Sequence, residues 1–69
     1  MDEKYLVIAN RGFEKEDIFY VGDSLLIAYR RLKELPDRNK EVILATVKMC
    51  TMFGEYEMVE SYEVIKKIS

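Results

Sequence analysis

Sixty-nine residues allow one small domain, and a chain that is 49% hydrophobic and 35% charged has a globular rather than a disordered composition. The lack of histidine and the single cysteine, Cys50, exclude an intrachain disulfide, a structural zinc set and His-dependent nucleophilic catalysis. A net charge of −2 does not by itself recruit nucleic acid or membrane, while a core of this size supplies only about 3–5 kcal/mol, which makes self-association an expectation of stability alone.

The first apolar run, Lys4 to Ala9 ("KYLVIA"), is rich in β-branched and aromatic residues and too short for a stable helix, so it reads as a strand. Asn10 to Gly12 is turn chemistry, since Asn and Gly both tolerate positive φ. A second strand is predicted over Ile18 to Val21, giving a hairpin with a loop of intermediate length. Gly22 breaks that strand, and Asp23 or Ser24 then offers an oxygen to cap the helix predicted up to Pro36. Leu25, Ala28, Tyr29, Leu32 and Leu35 form one apolar stripe along it.

The stretch Glu41 to Phe53 ("EVILATVKMCTMF") reads as a long strand with apolar side chains on both parities at its start. Gly54 marks a turn. The last segment, "YEMVESYEVIKKI", fits a period of two through Tyr56, Met58, Tyr62, Val64 and Ile68, with Glu60 and Lys66 as exceptions, yet Met58, Tyr62 and Ile65 also fit a helical stripe. Its Tyr and Val content favours a strand. The expected fold is therefore a single α+β domain over residues 1–69, ordered β-β-α-β-β, with one helix on one face of a mainly antiparallel four-stranded sheet.

That arrangement leaves the second sheet face bare. Ile43, Ala45, Val47, Met49 and Phe53 are expected to face the helix, and Val42 and Leu44 to face outward. An exposed apolar patch marks an interface, so Val42, Leu44, Thr46, Tyr56 and Tyr62 are the candidate interface residues. The expected partner is a second copy, as a dimer or higher homo-oligomer, together with another protein. A nucleic-acid alternative uses the basic cluster Arg30, Arg31, Lys33, Arg38 and Lys40, which carries a local +3 against Glu34 and Asp37, with Phe13, Phe19 or Tyr20 as stacking surfaces. Ligand capture at an oligomer interface is a further alternative.

The catalytic inventory is thin. The glycines Gly12, Gly22 and Gly54 are isolated, so no phosphate-cradling loop is present. The carboxylates Glu14, Glu16 and Asp17, or Glu55, Glu57 and Glu63, match no metal-ligand spacing. Cys50 lies mid-strand with nothing beside it to lower its pKa. The expectation is a non-enzymatic protein with no cofactor and no metal. No run approaches the ~18 apolar residues of a membrane span, and acids precede the first apolar run, so a cytoplasmic chain without a membrane partner is expected.

Tyr5 to Ile8, Ile18 to Val21, Ala28 and Val42 to Val47 together resemble small phage and mobile-element proteins built as two strands, one helix with a central alanine, and a further apolar strand. The resemblance spans most of the chain. It implies a non-enzymatic accessory product that acts by binding, such as an inhibitor of a host enzyme or defence factor. Such proteins carry acids in the first helical turn, where this chain has "DSLLIAY", so its helix surface departs from theirs.

Overall fold

The structure, a computed structural model, describes residues 2–69. Its elements are β1 (Asp2–Ala9), β2 (Asp17–Gly22), α1 (Leu25–Glu34), β3 (Lys40–Met52) and β4 (Tyr56–Lys67). All neighbouring strands are antiparallel and the spatial order is β2-β1-β3-β4. The fold class is the expected α+β, and the ambiguous C-terminal segment is a strand.

Local chemistry sets the connections. Asn10 takes φ 58 and Gly12 φ 87, which turn the chain out of β1. Ser24 is the N-cap of α1, its Oγ accepting from Ile27 N at 3.2 Å. The other capping candidate, Asp23, instead receives Lys4 Nζ at 2.9 Å. At the far end Lys40 Nζ donates to the Leu35 carbonyl at 2.7 Å, satisfying an acceptor that the helix leaves open.

The two parities of the sheet form two cores. Val7, Val42 and Ala28 are fully buried together, with Tyr5, Tyr20, Leu25, Leu32, Leu35 and Ile68 around them. This is the helix-covered face. Tyr29 lies at its margin and is exposed, so the helical stripe is narrower than its spacing implies. The opposite parity holds Leu6, Ile8, Ile43, Ala45 and Val47, also buried, although no helix covers it.

Two expectations are corrected here. The parity assignment is reversed: Val42 lies under the helix against Ala28, and Ile43, Ala45 and Val47 face away from it. Nor is the second face bare. Ile18 and Val21 from β2 and Val59 and Tyr62 from β4 pack on its core from opposite edges of the sheet. The sheet curls until its outer strands roof its own inner face, as in a barrel that stops short of closing.

Bulges allow that curl. Phe19 is the extra residue in β2, between the pairs Val7–Tyr20 and Ile8–Ile18. Glu60 and Ile65 play the same part in β4, against β3. Those at Phe19 and Glu60 place residues three apart on one face: Ile18 with Val21, and Val59 with Tyr62. They also bend their strands toward the inner core.

Since one chain covers both faces, its unfolding midpoint in urea should not move with protein concentration, whereas a face covered by a second copy would make it rise. Ile43→Val should cost about 0.5–1.5 kcal/mol in the same titration, as expected for a methylene removed from a closed core.

Candidate functional site

Where β2 and β4 meet, the curl leaves a seam. No Cα of β2 comes within 8 Å of one in β4, whereas paired strands lie about 5 Å apart. One end is stitched by Tyr62, whose hydroxyl donates to Glu16 Oε1 at 3.1 Å. The same carboxylate oxygen accepts from Gly12 N at 3.0 Å, so the β1–β2 loop holds it in place. Close by, Arg11 Nε donates to Glu41 Oε1 at 2.7 Å. Glu41 is only 7% exposed, and Arg11 is the cation that compensates its burial.

Away from that stitch the seam opens into a cleft of about 510 Å³. Its floor is apolar, made by Ile18, Val21, Met49, Met58 and Val59. Its charged lining is acidic throughout: Glu16, Asp17 and Glu57. Asp17 and Glu57 have no ion-pair partner among the described residues.

Beside the cleft stands a projecting arm. Among the described residues β1 pairs with β3 as far as Val47, and from Lys48 to the turn β3 has β4 as its sole described neighbour. This two-stranded ribbon exposes Met49, Met52, Phe53, Tyr56 and Met58. At its tip Glu55 N donates to the Met52 carbonyl at 3.1 Å, while Phe53 and Gly54 take φ 56 and φ 70. Positive φ at both central residues is the sign pattern of the tight hairpin turn that Asn-Gly favours. Gly54 accepts it freely. Phe53 does not, because its Cβ crowds the backbone there at a cost of about 1–2 kcal/mol. The phenyl ring is 86% exposed, so no intramolecular packing offsets the strain.

The candidate interface residues do not form one surface. Val42 is taken by the helix, Leu44 and Thr46 are half-buried along the same parity, and only Tyr56 is openly exposed. Tyr62 belongs to the opposite face, in the inner core and the stitch. For the basic cluster, Arg30, Arg31, Lys33 and Arg38 are exposed on and just after α1, while Lys40 is engaged by the Leu35 carbonyl. Tyr20 packs beneath the helix, Phe19 projects from the β2 bulge and Phe13 from the β1–β2 loop, so the aromatics do not share one platform with these cations.

Sequence reasoning missed the arm and the seam. The arm had a signal: Phe in place of Asn before Gly in a turn flanked by methionines. The seam had none, because it arises from how far the sheet curls.

Cys50 is a half-buried free thiol. Among the described residues no three His, Cys, Asp or Glu side chains are grouped to hold a metal ion, and no helix is long and apolar enough to cross a membrane. No protein-family model, curated protein or solved structure matches the chain.

Burial, and then the Glu16 carboxylate, raise the Tyr62 hydroxyl above its ordinary pKa of about 10. The hydrogen bond to Asp23 likewise raises Lys4. Both groups hold their protons more tightly when folded. Their stabilisation is therefore complete below pH ~10 and is lost as the pH rises through the folded values. Chemical denaturation of the native chain should show stability falling on the alkaline side, with a shallower fall in Tyr62→Phe and the Lys4 contribution remaining. Arg11→Ala should cost about 1–3 kcal/mol at neutral pH by leaving the Glu41 carboxylate buried and unpaired, and Glu41→Gln in the same background should recover part of it.

Proposed function

We propose that this chain is a small non-enzymatic binding protein that acts through protein–protein contact, with the β3–β4 arm and the adjoining cleft as its binding surface. One observation carries the reading: Phe53 is displayed at the tip of the arm in a backbone conformation that costs free energy and gains no contact within the chain. Strain of this kind persists where function requires it. Asn at this position would relieve it, whereas an aromatic at a projecting tip suits an anchor that fills a partner's pocket. The exposed methionines around it are flexible and polarisable, as adaptable contact surfaces require.

The reading replaces the one built on a bare sheet face. Self-association no longer has that face to justify it, and the contact surface moves from the start of β3 to its end. Action on a host or defence factor, which the phage-like resemblance implies, is compatible with a binding arm of this form.

Phe53→Asn separates fold from function. The substitution should stabilise the isolated chain by about 0.5–1 kcal/mol in urea, because Asn tolerates the left-handed turn. In quantitative affinity capture from the native host, proteins retained by the native chain should be depleted about tenfold or more with Phe53→Asn, as for loss of a buried aromatic anchor. They should be retained undiminished with Arg30→Ala/Arg31→Ala/Lys33→Ala. Equal retention by the native and Phe53→Asn chains overturns the reading.

A further inference from the structure

The cleft supplies a more specific assignment, which rests on the protein-binding reading above. Three observations converge on it. First, β2 and β4 are the two edges of the sheet, so each presents unpaired backbone N–H and C=O groups toward the seam. Second, the gap exceeds 8 Å between Cα atoms, while one strand inserted between two others needs a spacing of about 9.5 Å. Third, the cleft has an apolar floor and acidic lips, with no basic side chain in its lining.

We infer that the seam between β2 and β4 receives an extended cationic segment of a partner protein, with basic and apolar residues alternating, as a fifth strand. In an extended segment successive side chains point to opposite sides. One parity would enter the curled sheet over Ile18, Val21 and Val59, and the other would carry Lys or Arg to the lips at Asp17 and Glu57. Main-chain hydrogen bonds give such strand addition its affinity, and the pockets for alternate side chains give its specificity.

Charge decides between occupants. A second copy approaching edge to edge would bring its own Glu57 along β4, or Glu16 and Asp17 beside β2, against the same acidic lips, while its Glu60 is paired with its own Lys48 at 3.2 Å and its Lys66 and Lys67 lie at the end of β4 away from the cleft. Like charges set against each other reject a wrong partner. The lips therefore exclude this chain from its own seam and select a basic strand. The β2 edge is short, and its bulge at Phe19 interrupts the ladder, so the segment recognised is only a few residues long.

The test uses the whole chain and a short, capped, fluorescein-labelled peptide of alternating Lys and Val. Fluorescence anisotropy should show saturable binding that weakens with added salt. Amide chemical shifts should move in β2 and β4 and stay in place along α1. Asp17→Lys with Glu57→Lys should weaken binding about tenfold or more, as for charge pairs across an interface, with the thermal midpoint retained. An isomeric peptide with all lysines ahead of all valines, and one N-methylated at alternate residues, should bind at least about tenfold more weakly. The assignment is overturned by no saturable binding, by equal binding of the two isomers, by indifference to the charge reversal, or by sedimentation showing a stable dimer that the peptide dissociates. Loss of host proteins with Phe53→Asn alongside failure of the peptide would sink the strand assignment and leave the binding-arm reading standing.

Discussion

A sheet that is apolar on both parities must cover both faces, and this chain has one helix with which to do it. Everything else in the structure follows from how that constraint is met. The helix takes the Val7–Val42 face, with Ala28 small enough to let it approach closely. The Leu6–Ile43 face is closed by bending the sheet around it until the outer strands serve as a lid. A second chain would meet the same need, but bending meets it without the entropy of association.

The bend has local costs and a geometric remainder. Three bulges interrupt the ladders, and a buried glutamate requires an arginine beside it. Four strands are too few to close a barrel, so the two edges approach without meeting. Tyr62 and Glu16 bridge them at one point, and the cleft opens beside that bridge. The arm is the second remainder: β3 and β4 are longer than the sheet they belong to, and their surplus length stands beyond β1. Cleft and arm adjoin, because Met49, Glu57, Met58 and Val59 belong to both.

Much of the fold was legible from local pattern. The order of elements, a cap at Asp23 or Ser24, the stop at Pro36 and the turn at Gly54 each follow from residues adjacent in sequence, where conformational preferences are strong. The faces were not legible. Parity along "EVILATVKMCTMF" states which residues share a side, and with apolar residues on both sides it does not say which one meets the helix. In the last segment the bulges at Glu60 and Ile65 insert spacings of three into a period of two. The period-two set is split by them, since Met58 pairs with Cys50 on one face and Tyr62 with Val47 on the other.

The sequence by itself determined a small α+β chain of four strands and one helix, without the histidines or paired cysteines that much site chemistry requires. It did so because secondary structure and composition depend on near neighbours and on residue type. Tertiary structure alone decided that Val42 is under the helix, that Ile43 is under the curled sheet, and that Met52, Phe53, Tyr56 and Met58 stand exposed on an arm. Those outcomes depend on the summed twist and bulging of four paired strands. That curvature is a property of the assembled sheet and of no single segment.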